Sequence, residues 1–235
     1  MPRPTHLSLA LMLATFAAAP AALAQAYPTK PVTIVVGYPA GGSTDLTGRT
    51  LGDALAKQLG VPVVIENLGG AGGAIGAQKV ASAAPDGYTL LVGANNEVAI
   101  SKLVTKTTRY DLKDFTPIGL IASQPMVLVA SPTAGVKNLD EFLAKVKAAP
   151  GKFSYGSSGV GTALHLAGEM VKERAGLFMT HIPYRGVAPL TTDLVGGNLD
   201  YGVFVLSSGL PHIKSGKVVA LGTTEAKRSP LTADI

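Results

Sequence analysis

From Val32 onward, short β-branched runs alternate with helical patterns, and this alternation limits the possible folds more than any other feature of the chain. Val32-Thr33-Ile34-Val35-Val36 reads as a buried strand. It runs into Gly37-Tyr38-Pro39-Ala40-Gly41-Gly42-Ser43-Thr44-Asp45, a turn-rich loop. A helix follows, with Leu46, Leu51, Leu55 and Leu59 on roughly one face and Gly60 as its stop. Residues 61–65 give a second strand, residues 69–76 a loop holding five glycines, and residues 89–93 a third strand after a short helix around Val80. Strand–helix–strand order predicts a mostly parallel sheet with helices on its faces.

Residues 118–122 and 126–130 read as two more apolar strands, separated by Ser123-Gln124-Pro125. This is the expected crossing into a second unit, where the pattern restarts. Asn138 caps a helix through Phe142 and Val146. Residues 153–155, 181–183, 201–206 and 217–223 read as strands, and residues 162–175 and 187–195 as helices.

Composition narrows the function. Hydrophobic residues make up 47% of the 235, enough for real cores. The 20 Lys plus Arg exceed the 15 Asp plus Glu, giving a net charge of +5, but without a run of three cations. Nucleic-acid readers concentrate their cations and interleave aromatics, so no nucleic-acid partner is expected. The absence of Cys removes disulfides, thiolate catalysis and Cys-ligated zinc. Residues 7–23 are apolar and Ala-rich behind Arg3, and Ala22-Leu23-Ala24 is a small-x-small cleavage signal, so residues 1–24 are expected to be a signal peptide directing the chain to the periplasm.

Four loops share one form: a strand ends, small residues turn and a helix begins. They are residues 40–45, 157–162, 184–186 and 206–208. A helix N-terminus offers unpaired N–H groups and about half a positive charge, and glycine lets a ligand reach the backbone. In open α/β sheets such loops gather where ligands bind. A carboxylate or phosphate could be held there without lysine. The same residues also make ordinary turns and caps. Asp45 is either the cap of the first helix or a cleft acceptor. Arg185 could clamp an anion, but Tyr184 and Gly186 look like the packed and turning residues, which places Arg185 outside the cleft as a solvated loop charge.

Enzyme motifs fail on inspection. G-x-G-x-x-G breaks at Ile75 and at Leu164, and G-x-S-x-G breaks at Val160. The four His share no metal-ligand spacing, and no metal or cofactor is expected. His165 lies one helical turn after the Ser-rich loop and could face the cleft, although a lone helical His is more often structural. A Ser158–His165 hydrolase pair is conceivable but lacks a third member.

Tyr27-Pro28-Thr29-Lys30-Pro31-Val32, residues 38–45, Glu66-Asn67 before the glycine loop, Pro85-Asp86-Gly87-Tyr88-Thr89-Leu90-Leu91, Tyr155-Gly156-Ser157-Ser158-Gly159 and Pro183-Tyr184-Arg185-Gly186 together resemble the tripartite tricarboxylate transporter substrate-binding receptors, or Bug receptors. The resemblance extends over residues 27–229. It implies a periplasmic-binding-protein fold of type II, a Venus flytrap of two α/β lobes. It implies lobe 1 at 25–122, lobe 2 at 123–224, and a return to lobe 1 beginning in 225–235, so that lobe 1 is expected to be incomplete at its C-terminus. It implies a monomer that is not an enzyme and that passes a small carboxylate (an amino acid, a di- or tricarboxylate or an aromatic acid) to membrane transporter subunits. By motif position, the implied ligand contacts are Tyr38, Ala40, Gly41, Gly42, Ser43 and Asp45 in lobe 1. In lobe 2 they are Ser157, Ser158, Gly159, Thr162 and His165, with Tyr184 nearby. The competing readings are a periplasmic serine hydrolase and a truncated, non-functional remnant.

Overall fold

A computed structural model describes residues 26–227. The expected signal peptide and most of the expected return segment lie outside the described residues.

Two sheets organise the chain. The first has three parallel strands in the order β2-β1-β3: β1 (Val32–Val36), β2 (Val63–Asn67) and β3 (Thr89–Val92). Val32, Ile34, Val35 and Val36 are buried on both faces of β1, which explains its unbroken apolar run. Helix α1 (Ser43–Leu59) packs on this sheet and ends at Gly60 in the left-handed conformation. Its contact differs from the leucine face read in the sequence. Leu46 is exposed, and Gly48 and Gly52 are buried instead, where a Cβ would come within 2.9 Å of Val36 Cγ2 and 3.0 Å of Ile65 Cδ1. Leu51 and Leu55 flank that close approach. Helix α2 (Ala74–Ala81) follows the glycine loop, and a π-helical turn (Asn96–Ile100) leads into the short α3 (Ser101–Val104) after β3.

The second sheet has the order β6-β5-β7-β4-β8. It is built from β4 (Met126–Ala130), β5 (Ser154–Ser157), β6 (Thr180–Pro183), β7 (Tyr201–Val205) and β8 (Val219–Thr223). The β5 strand runs parallel to β6 and β7, while β4 is antiparallel to β7 and β8. Helices α4 (Leu139–Ala148), α5 (Ala163–Ala175), α6 (Val187–Val195) and α7 (Leu206–Lys214) complete this lobe. Its larger core joins Phe142, Tyr155, Leu190, Leu194, Tyr201 and Phe204. Phe142 meets Tyr201 edge to face at 4.7 Å between ring centres.

The mixed α/β lobes match the expected class. The strand expected at 118–122 does not form: Ile118 and Leu120 are 83% and 87% exposed, and no described strand pairs with the segment. A strand without a ladder partner leaves its backbone groups to water and has nothing to fix it extended.

Candidate functional site

All four loops singled out in the sequence are strand-to-helix junctions: β1 to α1, β5 to α5, β6 to α6 and β7 to α7. Parallel strands put the first three at carboxyl ends of their sheets, and the lobes bring them face to face. A Cβ at Gly41, before α1, would stand 4.0 Å from Ala188 Cβ in α6. Gly186 meets Pro39, where a Cβ would lie 2.9 Å from the ring, and Gly161 meets Val104, where it would lie 2.3 Å from Cγ2. Both glycines have φ in the left-handed half of the map, +130° and +72°. Bare backbone therefore lets the lobes touch.

A cavity of about 270 Å³ lies in this seam. Its first-lobe wall is Tyr38, the glycine loop 70–73 and Thr105, and its second-lobe wall is 158–160 and 183–185. Arg185 is the one charged residue in that lining. Its exposed guanidinium has no carboxylate within ion-pair distance among the described residues. The other walls are neutral. Burial first, and then the Glu97 carboxyl, push the Tyr38 phenol well above its ordinary value. Burial and the bond to Asp193 push Tyr184 up to about 12. A depression of about 330 Å³ between α1 and β2 involves Arg49, Asp53 and Val63 and stands apart from these loops.

Of the residues expected to touch a ligand, Tyr38, Ser158, Gly159 and Tyr184 line the cavity. Gly42 is the N-cap of α1 and Ser43 its first residue, with no side chain capping the helix, while Ala40 and Gly41 are exposed beside them. Asp45 is buried and spends its carboxylate on the protein. Oδ2 accepts from Gly41 N at 2.9 Å and Arg49 Nε at 3.0 Å, and Oδ1 accepts from Asn67 Nδ2 at 2.9 Å. Burial works against that charge, but these donors outweigh it and hold the carboxyl below its ordinary value. Asp45 thus ties the loop before α1 to Arg49 and Asn67 and is not the helix cap, a place taken by Gly42.

Ser157, Thr162 and His165 point into protein. Ser157 is fully buried and bonds His181 Nε2 at 2.8 Å, while Thr162 caps α5. His165 Nδ1 accepts from Gly161 N at 3.0 Å, and its ring stacks on His181 at 4.0 Å. Burial lowers both imidazoles, His181 to about 4, so the stacked pair is neutral at pH 7. Ser158 Oγ donates to Thr162 Oγ1 at 3.2 Å, and no bond joins it to His165. The Ser158–His165 hydrolase pair is therefore not assembled. The serine–histidine pair that does form, Ser157 with His181, has no exposed nucleophile.

Sequence reasoning missed Thr105, which carries no signal, and misplaced Arg185, which lines the cavity. The five glycines of 69–76 were the available sign of the first-lobe wall. The model of the "Tripartite tricarboxylate transporter family receptor" matches residues 47–235. The chain belongs to that family. Three solved structures are similar to this receptor. The periplasmic binding protein BugD is 36% identical with a TM-score of 0.77, over 89% of this chain and 70% of that one. Rpa4515 of R. palustris with adipate is 33% identical, TM-score 0.86, over 88% and 70%. MatC of Rhodopseudomonas palustris with bound malate is 32% identical, TM-score 0.83, over 89% and 71%. These neighbours give the receptor its fold, that of periplasmic binding proteins.

Proposed function

We propose that the chain is a periplasmic receptor that captures a small carboxylate between its lobes and delivers it to a tripartite-type transporter without transforming it. The observation that carries this reading is the interlobe cavity, whose lining combines glycine backbone and one unpaired cation, Arg185, with no acid. Such a lining favours an anion, and a guanidinium matches the two oxygens of a carboxylate. Adipate in Rpa4515 and malate in MatC support the ligand class. The volume suits a compact acid, since about 30 Å³ is one water's share of liquid. The uncapped start of α1 supplies further N–H donors at the cleft rim.

The test is a thermal-shift and calorimetric screen of adipate, malate and the neutral adipamide, with mass analysis of the recovered ligand. One acid should bind at one per chain, stabilise the fold by ~2.7 kcal/mol at a hundredfold excess over Kd, and return unchanged. Arg185→Gln should weaken it roughly tenfold, the scale of one charged hydrogen bond. No response to any carboxylate, or recovery of a product, refutes the reading.

A further inference from the structure

The amide at the start of α5 is already taken by the protein. Ala163 N, the first helical N–H, donates to Asn96 Oδ1 at 2.7 Å across the seam between lobes. His165 N turns to Thr162 Oγ1, and Gly161 N turns to His165 Nδ1. On its other side Asn96 Nδ2 donates to Tyr38 Oη, which donates to Gly72 O at 2.9 Å. The direction of this chain is forced. A peptide N–H only donates, so the amide oxygen of Asn96 faces Ala163 and its NH2 faces Tyr38. The Tyr38 hydroxyl then has its proton free for Gly72 alone. Asn96 is only 7% exposed, so these bonds work in a poorly screened environment.

We propose that Asn96 is an interlobe latch, a positioning residue that fastens the α5 N-terminus to the ligand wall formed by Tyr38 and Gly72. Opening the lobes breaks the Ala163–Asn96 bond and frees Tyr38, so closure and wall shape change together. The helix end that anion-binding logic offers to a ligand serves closure instead. The inference goes beyond ligand capture, because the latch is made of protein atoms alone.

The chain has no cysteine, so Lys57→Cys on α1 and Glu173→Cys on α5, both exposed positions, give one spin-label pair across the lobes. Pulsed dipolar spectroscopy on the parent should show a short, narrow distance. Asn96→Ala should shift the population to longer distances and raise the dissociation rate of adipate or malate about tenfold with little change in association. Asn96→Asp keeps the acceptor for Ala163 but loses the donor to Tyr38, so it should recover the short distance only in part. Ala163→Pro removes the donor at a helix position that tolerates proline and should open the lobes while leaving Asn96 in place. Melting temperatures of all variants separate this from simple destabilisation. Unchanged distances in both Asn96→Ala and Ala163→Pro overturn the latch. Should the parent bind neither acid, the capture reading fails, and the distances still decide the latch.

Discussion

Glu97 gives the sharpest test of how the cleft wall is held. Its side chain is 1% exposed, Oε2 accepts from Ala94 N at 3.0 Å, and Oε1 has no partner. The groups facing it are the Tyr38 and Tyr110 phenols, with no cation among them. Burial pushes its carboxyl from 4.5 to about 8. A folded-state value raised above the unfolded one means the native protein holds the proton more tightly. Stability is then fully present below pH 4.5 and lost as pH rises toward 8. Each pH unit in that window costs about 1.4 kcal/mol, so the full window costs roughly 5 kcal/mol. A Cβ on Gly73 would lie 2.5 Å from Oε1, so the carboxyl sits at the uncapped start of α2. That helix end returns ~0.3–1 kcal/mol to the ionised form, leaving about 4 kcal/mol.

Glu97→Gln removes the titration and keeps the shape. Like the protonated acid, glutamine leaves one polar group unpaired, so at pH 5 the two proteins should agree within ~1 kcal/mol. At pH 8 the variant should be about 4 kcal/mol more stable, roughly 10 °C in Tm for a chain of this size. Urea titrations of both proteins at pH 5, 6, 7 and 8 measure it, with effects of other ionising groups cancelling in the difference. A stability difference that stays flat across that range refutes the argument.

Other outcomes follow from the seam and the loop. Gly161→Ala should weaken ligand binding at least tenfold by calorimetry, because its Cβ meets Val104 and its φ of +72° disfavours a side chain. Asp45→Asn should lower stability at pH 7 by ~1.5–3 kcal/mol, the scale of a charged hydrogen bond, and should flatten the loss of stability on acidification, since a lowered carboxyl stabilises only above its unfolded value. His181→Gln should reduce the stability lost as pH falls from 6.5 toward 4, where the folded protein resists protonating that ring; chemical denaturation at pH 4.5 and 7 reads it.

Much of the architecture was legible because its signals are local. Val32–Val36 shows its double burial in composition, Asn138 caps the helix expected of it, and Gly60 ends α1. Features set by contacts between distant segments were not legible. The turn at Asn96–Ile100 is too short to show an apolar period, and its role depends on Tyr38 and Ala163, 58 and 67 residues away. Ser157 meets His181 only through the parallel register that sets Ser157 opposite Pro183 and Tyr155 opposite His181. Leu46 looked like a core position because the sequence does not show that Gly48 and Gly52 draw the helix down on a neighbouring face.

Where two halves meet through unadorned main chain, natural variation has little to adjust. At Gly161 and Gly186 almost any replacement would wedge the jaws apart, so new diets must arise elsewhere in the chamber. Ala71, Thr105 and Val160 carry side chains on its lining without bracing the junction through hydrogen bonds of their own. Relatives that accept bulkier or slimmer acids should therefore differ mainly at such positions and retain the bare joint.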